Sequence, residues 1–315
     1  MTQKNKVLAG FIPYGGLGNQ LFQFATALSL KTKESADLAM DILGVAKNNV
    51  DGNPEILDFD IQQIVNLIIR KRNRSRLNSI FISTQLRLSN KVFQTQLLNN
   101  ILTKCLRLYS VATSIIVGIR VLSPNGLGWD SKLKPSNESF TLLGNFHSYL
   151  FIDDQVRSEL RNSLKSRKKS TQVLDFEALA ALDKPTAIHV RLGDYLSIDE
   201  LNVVNKEYFA SAIEMVELAK PNSNYWIFTN DESLARDFVP NAIVPRSRFI
   251  PQSLNAAQTM EVMWLCDTYI ISNSTFSWWG AFLSVCNEPL VVAPKKWFKN
   301  LNDPLNICPP DWVRL

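Results

Sequence analysis

The sequence predicts an α/β protein built on parallel sheets, and three observations carry that prediction. Short apolar runs alternate with amphipathic segments long enough to act as helical crossovers. Glycine-rich or small polar turns follow several of the runs, and the rhythm restarts after a polar break, as two linked units require. The 315 residues fit two domains, since a typical one holds about 150 residues.

At the start, "KVLAGFIP" is a buried strand rather than a signal peptide, because the apolar run stops at Pro13 and Gly15 without a small-residue cleavage site. "GGLGN" is the turn after it, and "QLFQFATALSL" is a helix with Leu21, Phe24, Ala25 and Leu28 on one face. "ADLAMDIL" is a second strand. From Ile61 to Trp129 there are ten basic residues and no acidic one, a charge of +10; the other 24 basic and 29 acidic residues sum to −5. This stretch is expected to be a basic, mostly helical insertion, which suits either an anionic lipid surface or acidic ligand, or a merely solvated face. "FTLLGNF" then predicts a strand, and "DDQVRSELRNSL" a helix capped by Asp153 or Asp154.

The polar run "KSRKKSTQ" places a boundary between an N-terminal domain, 1–168, and a C-terminal domain, 169–315. In the second domain the strands are "AIHVRL", "YWIFT", "TYIIS" and "PLVVAP", separated by "KEYFASAIEMVELA", "ESLARDF", "AAQTMEVMWLC" and "FSWWGAFLSV" as helices. Ligands of such sheets bind beyond the carboxyl ends of the strands.

Composition excludes several classes. An apolar fraction of 46% with 20% charged residues is that of an ordinary folded protein, not a disordered or fibrous one. No run reaches the roughly 18 apolar residues of a membrane-spanning helix. Cys105, Cys266, Cys286 and Cys308 form no C-x-x-C pair and read as buried thiols of a reducing compartment. With only His147 and His189 in the chain, a zinc site would need an unusual ligand set, and no metal is expected. "DFD", Asp58 and Asp60, matches the D-x-D of metal-dependent sugar transferases, but a three-letter acidic match recurs by chance.

The chemistry-bearing residues fall at strand ends. His189 and Arg191 end "AIHVRL", Asn230 and Asp231 end "YWIFT", and Ser272, Asn273, Ser274, Thr275 and Ser277 follow "TYIIS" on a turn that opens a helix. Free N–H groups and the helix dipole at such a turn favour a phosphate, although N-capping alone would also explain them. Arg191 can hold a diphosphate with two parallel hydrogen bonds, or simply pair with Asp194. His189 can donate to a phosphate or a sugar hydroxyl, or be a satisfied core residue. Near the N-terminus "GGLGNQ" brings backbone close to a ligand, but Leu21 stands where a G-x-G-x-x-G fingerprint needs glycine, which disfavours a nicotinamide enzyme.

With these motifs in place, the chain resembles the α-1,2-fucosyltransferases of glycosyltransferase family 11. "GGLGNQLFQFA", "GNFHSYLFIDD", "HVRLGDY", "YWIFTNDE", "IISNSTFSWWGAFL" and "VVAPKKWF" occur in that family's order, weakening between 60 and 130. The resemblance implies a GT-B architecture, two Rossmann-like domains facing a cleft, and metal-independent, inverting transfer of L-fucose from GDP-β-L-fucose to a galactoside 2-hydroxyl. It implies an acceptor-side first domain and a GDP-fucose-binding second one, with no cofactor beyond the donor. Arg191, Asn230, Asp231 and the stretch Ser272, Asn273, Ser274, Thr275, Phe276 and Ser277 would hold the donor, and Gly16, Gly18, Asn19 and Gln20 would close over its phosphates. Asp194 would orient its neighbours, and Asp199 and Glu200 join it as candidate bases by position. His189, Arg191 and a helix N-terminus are then the fixed charges and dipoles facing the departing diphosphate. Leu192 stands where the family commonly has a second arginine. A metal-dependent transferase using Asp58 and Asp60, or a non-catalytic nucleotide-sugar or glycan binder, are the alternatives. The basic stretch with its apolar insertions suits a lipid-linked acceptor at the inner face of a bacterial inner membrane, and an N-terminus read as a strand rather than an anchor leads to the expectation of a bacterial cytoplasmic enzyme of O-antigen or surface-polysaccharide synthesis.

Overall fold

In the computed structural model of the chain, residues 8–31, 37–42, 54–71, 80–82, 84, 85, 87, 99–117, 120–134, 138–167, 170–193, 195 and 198–315 are described. They form two units: one comprises residues up to Leu164 together with Pro304–Ile307, the other Lys165–Asp303 and Cys308–Leu315.

The first unit is a five-stranded parallel sheet in the order β3-β2-β1-β5-β4. Its strands are β1 (Ala9–Phe11), β2 (Asp37–Ile42), β3 (Asn66–Lys71), β4 (Arg120–Leu122) and β5 (Phe140–Leu142). The central strands are short and buried on both faces, as parallel sheets covered by helices require. Helix α1 (Leu17–Leu30) is buried along nearly its whole length, and Phe24 packs on Phe11 of β1 with ring centroids 5.9 Å apart. Helix α2 (Asn99–Val117) precedes β4. After β5, helix α3 (Asp154–Ser163) is capped by Asp153, whose carboxylate accepts from the Val156 N–H at 2.7 Å; Val156 and Leu160, one turn apart, are its buried stripe.

Most of the described residues of 61–129 are helical, in α2 and at 80–82, 84, 85 and 87, and the stretch also supplies both edge strands, β3 and β4, which its sequence did not announce. β3 pairs with β2 over six positions, from Asp37↔Asn66 to Ile42↔Lys71, so sheet pairing overrides the charged sequence that follows it. Cys105 is exposed on α2 rather than buried, unlike Cys266, whose thiol burial pushes well up.

The second unit is a six-stranded parallel sheet in the order β11-β10-β9-β6-β7-β8. The strands are β6 (Thr186–Val190), β7 (Tyr225–Thr229), β8 (Ser247–Phe249), β9 (Thr268–Ile270), β10 (Leu290–Ala293) and β11 (Val313–Arg314). Helix α4 (Thr171–Asp183) leads into β6, and the crossovers include α5 (Lys206–Ala219), α6 (Ala256–Trp264) and α7 (Thr275–Phe282). Each begins at a side-chain cap: Ser170, Asn205, Asn255 with a reciprocal Gln258, and Ser274. Phe209, Ile213 and Val216 of α5 fill the core against Ile188, Val190 and Ile227.

The strand order β9-β6-β7 sets the functional rim. The chain leaves β6 and adds β7 and β8 on one side, then crosses back to add β9, β10 and β11 on the other. In open parallel sheets such a reversal opens a crevice at the carboxyl ends of the strands.

Candidate active site

At the carboxyl end of β6, His189 is buried and its Nδ1 lies 3.0 Å from Ser272 Oγ at the end of β9. Its ring rests on Phe276 in the first turn of α7, with centroids 5.8 Å apart. Burial, reinforced by the charge of Arg191, pushes the imidazole pKa down to about 3. His189 is therefore neutral near pH 7. It ties the end of β6 to the turn that opens α7.

Two residues on, Arg191 is partly exposed, with its guanidinium over the Tyr195 ring, 5.3 Å from the centroid. Between these residues and beyond them the side chains turn inward. Val190 and Leu192 both enter the core, Leu192 being only 1% exposed. An arginine in place of Leu192 would have to bury its charge there. Asp194 lies outside the described residues.

Asn230 shapes the loop that displays Arg191. Its Oδ1 accepts from the Leu192 N–H at 3.1 Å and its Nδ2 donates to the Leu192 carbonyl at 3.3 Å. Gly193 has φ of +68°, and a Cβ there would sit 2.6 Å from Asn230 Nδ2, so both conformation and space ask for glycine. Asp231 caps the one-turn helix Glu232–Ala235, accepting from the Leu234 N–H at 3.0 Å.

In the turn after β9 the five polar residues divide their work. Ser274 caps α7, accepting from the Phe276 N–H at 3.3 Å. Ser277 is buried and its hydroxyl lies 3.4 Å and 3.3 Å from the Ser272 and Ser274 carbonyls. Asn273 Nδ2 donates to the carbonyls of Leu201 and Trp297, at 2.9 Å and 3.0 Å, holding two loops together. Thr275 is the partly exposed member, next to the partly exposed Phe276, at the positive end of the α7 dipole. Asp199 and Glu200 open a short 3-10 turn and are exposed; Asp199 pairs with Lys299 Nζ at 2.5 Å.

Sequence reasoning missed Tyr208. Its buried hydroxyl donates to the Ile271 carbonyl at 2.6 Å and lies 3.2 Å from the Val292 carbonyl, fixing the ends of β9 and β10 just before Ser272. The residue sits 63 positions from its partner, so no local pattern announces it.

In the first unit, the turn after β1 is also anchored internally. Gln20 is buried, its Nε2 donating to the Gly15 carbonyl at 2.7 Å and its Oε1 accepting from the Ile56 N–H at 2.9 Å. Asn19 Oδ1 lies 2.9 Å from Nε2 of the buried His147. Gly16 is the N-cap of α1 and Gly18 is buried in its first turn. Glu55, also missed, accepts from the Leu17 N–H at 2.5 Å. The first free amide of α1 thus faces a carboxylate supplied from 38 residues away, where a phosphate was expected to sit. Asp58 is exposed, and Asp60 Oδ2 accepts from Gln63 Nε2 at 2.7 Å. Among the described residues no three His, Cys, Asp or Glu side chains gather as a metal ligand set.

Two parallel-sheet α/β units are the architecture of GT-B glycosyltransferases. The solved structure of NodZ, an α-1,6-fucosyltransferase soaked with GDP-fucose, has the same fold, with a TM-score of 0.50 at 13% identity over 87% of this chain and 92% of that one. The family model for glycosyl transferase family 11 matches residues 129–314, and the chain belongs to that family. Two relatives from Escherichia coli are each 26% identical to it: the O-antigen biosynthesis glycosyltransferase WbnK and an α-1,2-colitosyltransferase. The alignments cover 96% of this chain, with 98% of the first relative and 96% of the second. The protein is a glycosyltransferase.

Proposed function

We propose that this glycosyltransferase moves L-fucose from GDP-β-L-fucose to the 2-hydroxyl of a terminal galactoside, with inversion and without a metal, in the assembly of an O-antigen or related surface polysaccharide. The observation that carries the reading is the rim of the second unit. There Arg191 and the N-terminus of α7 stand at the ends of adjacent parallel strands, β6 and β9, locked together through His189 and Ser272. A cation and a helix dipole fixed in this way are what a departing diphosphate needs.

In the proposed step the acceptor oxygen forms a bond to the fucose anomeric carbon as the bond from that carbon to the diphosphate oxygen breaks. The bonding pair leaves with GDP, and the added negative charge falls toward Arg191 and the amides opening α7. The hydroxyl proton passes to a base, with Asp194, Asp199 and Glu200 as the candidates. Arg191 stays charged throughout, so its contribution does not depend on a proton.

The name of the second relative supports one alternative donor: colitose is L-fucose without its 3-hydroxyl. The discriminating experiment offers the protein GDP-fucose and GDP-colitose in parallel, with lactose or N-acetyllactosamine as acceptor and EDTA present, and reads the linkage by NMR. An α-1,2-fucosyl product is expected. Transfer of colitose alone would reassign the donor; activity that EDTA abolishes would return attention to Asp58 and Asp60. Donor binding without product on a broad acceptor panel would favour a non-catalytic binder.

A further inference from the structure

A surface helix in water turns its aliphatic side chains inward and its polar ones outward. Helix α2 does the reverse. Its inner face holds Leu106, Ser110, Thr113 and Ser114, and the hydroxyls are spent there. Ser110 Oγ donates to the Val121 carbonyl at 3.2 Å and accepts from Gln85 Nε2 at 3.1 Å. Ser114 Oγ accepts from the Val121 N–H at 2.9 Å, and Thr113 Oγ1 donates to the Tyr109 carbonyl at 2.8 Å. Half a helical turn away, Leu108, Val111 and Ile115 are 73%, 58% and 77% exposed. Their spacing of three and four residues puts them in one row, and exposed Lys104 extends the row by a turn.

A continuous aliphatic row open to water marks a face that meets something apolar. The charge on the same helix says what. α2 carries Lys104 and Arg107 and no acidic residue, within a stretch of sequence, 61–129, that has ten basic residues and none acidic. A second copy of the chain would bring the same excess against it. Among the described residues no helix is long and apolar enough to cross a membrane. The geometry points to an anionic lipid surface: α2 lies along it, with Leu108, Val111 and Ile115 entering the acyl boundary and Lys104, at the end of the same row, meeting the lipid phosphates. This assignment is independent of which sugar is transferred.

The full chain should sediment with vesicles of phosphatidylcholine and phosphatidylglycerol at low salt, and bind phosphatidylcholine vesicles at least about tenfold more weakly. Leu108→Ser/Ile115→Ser should lose at least about tenfold in binding to the mixed vesicles, while its circular dichroism and its transfer to a soluble acceptor stay those of the wild type. If that pair disturbs folding, Lys104→Glu, a change of one exposed side chain, should also weaken binding. Equal binding to both vesicle types, no binding to either, or full binding by the variants overturns the proposal. So does a concentration-dependent dimer in velocity sedimentation that the serine pair abolishes.

Discussion

Each unit contains one histidine, both are buried, and together they make folding sensitive to mild acid. Burial lowers the pKa of His147 from 6.5 to about 3, and burial with Arg191 does the same to His189. In the folded protein both rings stay neutral until about that pH, whereas in the unfolded chain each takes a proton near its ordinary value of about 6.5. The unfolded state therefore binds more protons throughout the interval between. Stability is full above about pH 6.5 and declines as pH falls toward about 3. Between pH 7.5 and 5.5 each ring costs about 1.4 kcal/mol, or about 2.7 kcal/mol for both if the units unfold together. If they unfold separately, each transition loses about 1.4 kcal/mol. Carboxylates titrate mostly below this window, so urea unfolding followed by tryptophan fluorescence at pH 7.5, 6.5 and 5.5 isolates the effect. His189→Gln should remove about half of the slope, and His147→Gln the other half. A wild-type stability flat across the window, or an undiminished slope in the double variant, would refute the reasoning.

Arg191→Ala should lower kcat/KM for donor transfer at least about tenfold, or ~1.4 kcal/mol, in a protein that still folds; Arg191→Lys, which keeps charge but loses the two-pronged grip, should fall between them. Unchanged kinetics in the alanine variant would remove Arg191 from the reaction. Leu192→Arg, which restores the arginine common in the family, should destabilise the second unit by about 3 kcal/mol or more, because it buries an unpaired charge. An unaltered Tm with tighter GDP binding would mean that the side chain turns outward instead. At Gly128 a Cβ would meet the Leu305 backbone nitrogen 2.1 Å away. Gly128→Ala should cost about 2 kcal/mol and lower Tm by about 4–8 °C, read by thermal scanning. No shift would show that the Leu305 segment yields freely.

Much of the rim was legible in the sequence because its signals are local. A buried run ending in His189 and Arg191, and a polar turn ahead of Trp278, state a strand end and a helix start within a dozen residues each. Partnerships across long separations were not legible. Glu55 meets Leu17, Tyr208 meets Ile271, and Asn273 meets Trp297 only after the sheets assemble. For the same reason the sequence overstated how many polar residues await a ligand. Asn230, Asn273, Ser277 and Gln20 have the right chemistry, but in the fold they are bonded to backbone and build the loops. The edge strands β3 and β4 were missed because a three-residue strand has no period to detect, and a six-residue one followed by clustered charge resembles a helix.

The return of Pro304–Ile307 to the first unit bears on how the protein is made. Leu305 accepts from the Trp129 N–H at 3.0 Å, and Asn306 accepts from the Ser148 hydroxyl at 2.8 Å, so this short stretch closes a unit whose other residues end at Leu164. A nascent chain that has just cleared Leu164 still lacks those partners, and translation at about 5–20 residues per second delays them by on the order of ten seconds. During that interval the Trp129 N–H and the Ser148 hydroxyl lack these two acceptors. The first half is thus synthesised first and completed last. A stop codon placed between the units would yield an unfinished domain rather than an independent one.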